Sequence, residues 1–118
     1  MHSILIVDDH AEFRRQAREL LEIDGFDVLG EASEGTTGLE IARSLRPDLV
    51  LLDIGLPDVD GFEVAGTLAD DGPPPLVVLT SSRDASAYGR KLTDCRALGF
   101  IPKDQLSGSA IRALVAAS

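Results

Sequence analysis

Cysteine occurs once in the 118 residues. A lone Cys95 cannot close an intramolecular disulfide or build a multi-cysteine metal site, and it reads as a small, partly buried apolar residue. Histidine occurs twice, and neither His2 nor His10 has a histidine or cysteine partner; His10 is expected to begin the first helix beside a crevice rather than to bind metal. Basic residues are scarce, 11 against 20 acidic, for a formal net charge of −9. That balance argues against direct nucleic-acid binding by this domain, because a phosphate backbone needs a basic face. Arg14, Arg15 and Arg18 form a local basic group, but Glu12, Glu19 and Glu22 stand among them, and the set reads as a charged helix face. Long apolar runs are also missing. None approaches the roughly 18 residues needed to span a bilayer. The start, Met1-His2-Ser3, lacks the basic lead of a signal peptide, and the run behind it stops at Asp8. No membrane partner and a cytoplasmic location are expected. There is no internal repeat, low-complexity tract or linker, so residues 1–118 are expected to form one domain, long enough for one core and not two.

What the chain does contain is a series of short apolar runs, each ending on a polar residue. Ile4-Leu5-Ile6-Val7 runs into Asp8-Asp9, Leu49-Val50-Leu51-Leu52 into Asp53, and Leu76-Val77-Val78-Leu79 into Thr80. A shorter run, Phe100-Ile101-Pro102, ends at Lys103. A less apolar strand over 26–32 suits a sheet edge. Between these runs the apolar spacing is helical: Phe13, Ala17, Leu20 and Leu21; Leu39, Ala42 and Leu45, stopping before Pro47; Phe62, Ala65 and Leu68; and finally Ile111, Leu114 and Val115. Residues 82–98 hold Gly89 in mid-segment, which costs a helix about 1 kcal/mol, so a short or broken fourth helix is expected there.

Continuous apolar strands are covered on both faces, and their alternation with helices implies parallel crossovers. The expected fold class is α/β: a doubly wound five-stranded parallel sheet of order 2-1-3-4-5, the flavodoxin-like three-layer α/β/α arrangement. Its ligand crevice lies at the carboxyl ends of the first and third strands, where Asp8, Asp9 and Asp53 fall.

Three carboxylates, a hydroxyl and an ammonium on one sheet edge suit a divalent cation and a phosphoryl group. Mg²⁺ prefers oxygen ligands, one or two carboxylates with several waters. Asp9 and Asp53 could ligate it directly and Asp8 through a water. Two like charges about 4 Å apart repel by roughly 4 kcal/mol at an effective dielectric of about 20, so the cluster needs a metal, Lys103 or raised carboxyl pKa values. A carboxylate held in line with a phosphoryl group can act as the nucleophile and form an acyl phosphate. Asp53, at the end of the most apolar strand, is the candidate; Lys103 would neutralise a phosphoryl oxygen and Thr80 would donate a hydrogen bond to another.

In these motifs the chain resembles the receiver domain of two-component response regulators. The resemblance rests on Ile6-Val7-Asp8-Asp9-His10, on residues Leu52-Asp53-Ile54-Gly55-Leu56-Pro57-Asp58-Val59-Asp60-Gly61-Phe62-Glu63, on Leu79-Thr80-Ser81 and on Lys103, and it covers essentially the whole chain. It implies that Asp53 is the phosphoacceptor, Asp8 and Asp9 the acidic pair for Mg²⁺, and the Gly55 carbonyl a backbone metal ligand. It implies Thr80 as switch hydroxyl, Lys103 as phosphoryl-binding lysine and Phe100 as switch aromatic. A sensor histidine kinase is the implied phosphodonor. Such a receiver catalyses only its own phosphorylation and dephosphorylation, and so is no conventional enzyme. The chain departs from the family where Asp104 rather than proline follows Lys103, so no cis bond is expected there. Leu56 stands for the usual methionine, and Phe100 for tyrosine.

Other motifs carry less. Asp58-Val59-Asp60-Gly61 follows Pro57 rather than a strand, unlike the aspartate pair of haloacid-dehalogenase-type phosphatases, and it lacks the glutamate of a calcium loop. Gly35-Thr36-Thr37-Gly38 reads as a helix start, and Ser81 and Ser82 as loop hydroxyls. The Asp-Asp-His form of the first motif resembles receivers joined to helix-turn-helix DNA-binding domains, so an effector controlling transcription is expected outside this sequence, with a stand-alone receiver as the alternative. A phosphorylation-independent interaction module of the same fold is the rival reading. Any homodimer is expected through the last helix, with exposed Arg112 as its probe.

Overall fold

Strands β1 (Ser3–Val7) and β3 (Leu49–Asp53) are the most apolar segments and take the middle of the sheet. The computed structural model describes residues 2–117. Helix α1 (Ala11–Ile23) leads to β2 (Asp27–Ala32), α2 (Gly35–Leu45) to β3, and α3 (Gly61–Asp70) to β4 (Leu76–Ser81). A single 3-10 turn (Ala85–Ala87) and a five-residue α4 (Arg90–Asp94) precede β5 (Gly99–Pro102); a second 3-10 turn (Lys103–Gln105) precedes α5 (Gly108–Ala117). All strand pairings are parallel, in the order β2-β1-β3-β4-β5. The expected doubly wound sheet is therefore the one observed.

Alternate residues of the central strands feed two cores. Leu5, Val7, Val50 and Leu52 pack with Val64, Ala65 and Leu68 of α3 and Ala42 of α2. Ile4, Ile6, Leu49 and Leu51 pack with Ala17 and Leu21 of α1 and Ile111 of α5. Burial on both faces is why these runs are continuous rather than alternating. No helix among the described residues is long and apolar enough to cross a membrane.

Two glycines decide local shape. A Cβ on Gly61 would sit 2.6 Å from the Asp53 carbonyl oxygen and 2.7 Å from Ile54 Cα, so α3 starts where only glycine lets it touch the end of β3. Gly89, with φ of +55°, breaks the segment between the 3-10 turn and α4. The fourth helix is accordingly short, as its glycine implied.

Three expectations need correction. Ser81 is a buried residue of β4, not a loop hydroxyl. Arg14 is more than part of a charged face: its Nη1 donates to the Asp8 carbonyl at 2.6 Å, and its Nε bonds Glu31 at 3.2 Å. Arg112 is exposed but engaged, donating to the Asp24 carbonyl with its guanidinium 4.9 Å from the Phe26 ring centre, so it is not a neutral probe of a surface.

Candidate functional site

Parallel register brings the strand-end residues together. Val7 is level with Leu52, and Asp53 with Thr80, so Asp8, Asp53 and Thr80 follow one another across β1, β3 and β4. The Asp8 amide donates to the Ala32 carbonyl at 2.9 Å and extends the ladder past β1. The Ile54 amide donates to the Thr80 carbonyl at 3.0 Å and does the same past β3. Backbone bonding on both sides therefore fixes where the two carboxylates point.

Asp8 is fully buried and Asp53 is only 4% exposed. Asp8 Oδ1 accepts the His10 amide at 2.8 Å. Its other oxygen, Oδ2, has no well-aligned hydrogen bond and faces the Lys103 ammonium at 2.8 Å. The same ammonium is 3.7 Å from Asp53 Oδ2, 3.3 Å from His10 Nδ1 and 4.6 Å from the centre of the Phe13 ring. Asp53 Oδ1 accepts the Gly55 amide at 3.2 Å. Burial raises the Asp53 pKa above the ordinary carboxyl range, and the Asp8 charge adds to that; Lys103 and the Gly55 amide oppose it. Thr80 is wholly buried, and its hydroxyl has no hydrogen-bond partner. A buried hydroxyl left unpaired is costly, so this one is poised to accept a new partner.

Of the residues expected at the site, Asp8, Asp9, Asp53, Gly55, Thr80 and Lys103 all lie at this edge. Lys103 stands in the 3-10 turn after β5, and no cis peptide occurs among the described residues. Phe100 lies one strand away, half-buried on β5 level with Leu79. Sequence reasoning passed over its neighbour. Tyr88 packs edge-on between Phe100 (6.1 Å) and Phe62 (5.9 Å), and its hydroxyl meets Ser81 Oγ at 2.5 Å. Asp58 was also missed. Its carboxylate accepts from the Gly35 and Thr36 amides at 2.8 and 3.0 Å and from the Thr36 hydroxyl at 2.9 Å, capping α2 from the β3–α3 loop. Those amide donors pull the Asp58 pKa down to about 2. His10 begins α1 as anticipated, as its N-cap, yet its ring nitrogen also reaches the Asp8 and Asp9 carboxylates.

Ligand atoms of Asp8, Asp9, His10 and Asp53 all fall within 4.8 Å of one another. Oxygen donors of this density, one of them a buried Asp8 oxygen met by the Lys103 ammonium alone, fit a small hard cation. A cavity of about 1000 Å³ lies elsewhere. It is an open cleft at the amino ends of the strands, lined by Arg43, Arg46, Asp48 and Pro73 to Pro75, and holds none of these residues.

The doubly wound parallel sheet thus carries an acidic, lysine-bridged crevice at its switch point. The model of the response regulator receiver domain family matches residues 4–116, and the chain belongs to that family. It is 40% identical over 104 residues to BvgA of Bordetella pertussis, named a positive transcription regulator of virulence factors, across 88% of this chain and 50% of that protein. It is 35% identical over 102 residues to the nitrate/nitrite response regulator NarP of Escherichia coli, across 86% of this chain and 47% of NarP. The chain thus spans about half the length of these curated relatives. Among solved structures it is similar to the signal receiver domain of the response regulator NarL from Mycobacterium tuberculosis. That match has a TM-score of 0.87 and 31% identity, covering 98% of this chain and 94% of that one. The chain is a receiver domain of a two-component response regulator, and proteins named as transcription regulators are among its relatives.

Proposed function

We propose that residues 1–118 act as one receiver that takes a phosphoryl group from a sensor histidine kinase onto Asp53. An Asp53 carboxylate oxygen attacks phosphorus, the bond from phosphorus to the donor's histidine nitrogen breaks, and an acyl phosphate forms. Asp8, Asp9, Asp53 and the Gly55 carbonyl are the proposed ligands of Mg²⁺, which when bound supplies charge neutralisation for the phosphoryl oxygens. Lys103 steadies another of those oxygens. Thr80 turns its hydroxyl toward the new anion, and Phe100 follows as the switch aromatic. The observation that carries this reading is the lysine shared by two buried carboxylates, 2.8 Å from Asp8 and 3.7 Å from Asp53, beside a buried hydroxyl with no partner.

The consequence of phosphorylation is a changed contact with an effector domain or partner protein in the cytoplasm, and through it a change in transcription. The domain makes no direct contact with nucleic acid and acts on no substrate besides its own aspartate. Incubation with acetyl phosphate and Mg²⁺, read by intact mass, tests the chemistry. The expected gain is one phosphate, absent in Asp53→Asn. An unmodified wild-type chain, or an equal adduct in both, would overturn the assignment and favour an interaction module that works without phosphate.

A further inference from the structure

Helix α2 ends on a residue in an unfavourable conformation. Arg46, its C-cap, has a φ of +50° and is the one residue other than glycine with a positive φ among the described residues. Its amide closes the helix on the Ala42 carbonyl at 2.9 Å, a task that glycine or asparagine performs with less strain. Pro47 follows directly, and a residue before proline is steered toward extended backbone, which sharpens the conflict. Strain kept at a turn that does not need this side chain points to a use for the side chain itself.

Arg46 lines the cleft of about 1000 Å³ at the amino ends of the strands. Asp48, which also lines it, stands just before β3, whereas Asp53 closes that strand at the other end of the sheet. The acidic residues of the cleft are already engaged. Asp71 Oδ2 accepts Arg43 Nε at 2.7 Å, Asp70 pairs with Arg96, and Asp48 Oδ2 accepts the Ser3 amide at 2.9 Å and the Ser3 hydroxyl at 3.1 Å. The Arg46 guanidinium is exposed, and no acceptor among the described residues meets it. What the cleft leaves over is a planar fork of donors, the geometry that holds a carboxylate in two parallel bonds. Apolar surface lies beside it, from buried Ala42 and Leu68 and from Pro73 to Pro75. A cleft of this size stands at the upper end of the roughly 300–1,000 Å³ usual for small-molecule sites.

We propose that this cleft binds a small aromatic carboxylate, with the anion forked on Arg46 and the ring against Leu68 and the prolines. The site is separate from the acidic crevice, and it stands whether or not Asp53 accepts phosphate.

The test is a titration of the whole chain with 1-naphthoate, read in proton–nitrogen correlation spectra at fixed pH and ionic strength, with 1-naphthamide as the uncharged counterpart. Naphthoate should shift the Arg46, Gly72 and Leu76 amides and leave those of Asp8, Asp53 and Thr80 in place. Naphthamide should bind at least about fivefold more weakly, the loss expected when a charge-assisted bond at an exposed site is removed. Arg46→Gly should show a similar loss of naphthoate with Tm unchanged or raised, because glycine takes a positive φ freely. Arg46→Gln keeps a side chain on the same backbone and should weaken naphthoate as much, which separates lost binding from a lost fold. Absence of shifts in the cleft, equal affinity for acid and amide, or unchanged affinity in both variants overturns the proposal.

Discussion

Asp53 and Lys103 share one pocket, and their replacement should change stability in opposite directions. Asp53 is almost fully buried beside the Asp8 carboxylate, and its pKa is raised chiefly by that burial. A raised carboxyl pKa means the folded state holds the proton more tightly than the unfolded one. Stability therefore falls as pH climbs from the unfolded value through the raised folded one, and the penalty is complete above it. Asp53→Asn removes the penalty while an amide oxygen can still accept the Gly55 amide. We expect it to stabilise the protein at pH 7 by on the order of 1 kcal/mol, a few degrees in Tm, with the gain vanishing below the ordinary aspartate range. Lys103→Ala leaves two buried carboxylates without their cation and should cost about 3 kcal/mol in urea unfolding at pH 7. Stabilisation by both, or destabilisation by both, would show that the pocket's charges are not balanced as their distances indicate.

The β4–α4 connection is held by Tyr88 more than by helix. α4 is five residues long, and no residue of it is buried. The Tyr88 ring bridges Phe62 of α3 and Phe100 of β5, and its hydroxyl pairs with Ser81, the residue after Thr80. Tyr88→Phe should lose about 1 kcal/mol through the Ser81 contact, and Tyr88→Ala a further 1–2 kcal/mol or so through the ring contacts. Equal losses in urea melts followed by circular dichroism would mean that the ring contributes nothing. Asp58 holds a different element. Asp58→Ala should speed amide exchange at Gly35 and Thr36 several-fold, and because its folded pKa is about 2, the same protection should persist in wild type until pH falls toward that value. These two side chains mark where sequence reading ran out. Strand runs such as Leu49-Val50-Leu51-Leu52 announce themselves by composition, and the polar residue closing each run lands on the crevice edge because register follows from parallel pairing. Tyr88, Ser81, Asp58 and Arg14 act through contacts across 6 to 23 positions in the chain, and no periodicity encodes which loop meets which. His10 shows the same limit at short range: its place as N-cap was legible, but the direction of its ring was not.

At the scale of the whole molecule the acidic crevice concentrates part of a net charge of −9. Self-repulsion of that size disfavours the compact state, and any salt relieves part of it by screening. A cation bound at one place behaves differently, since it stabilises by mass action against its own dissociation constant, about 2.7 kcal/mol at a hundredfold excess over Kd. The two effects separate when MgCl₂ is compared with NaCl at matched ionic strength. Both should raise Tm, MgCl₂ by several degrees more. Asp9 is the residue with which to dissect the difference, because its carboxylate is partly exposed and carries no backbone hydrogen bond in the site, whereas Asp8 anchors the His10 amide. Asp9→Asn should respond to NaCl as wild type does and lose most of the excess response to MgCl₂. If the variant keeps that excess, the magnesium is being held somewhere other than the edge where β1, β3 and the Lys103 turn converge.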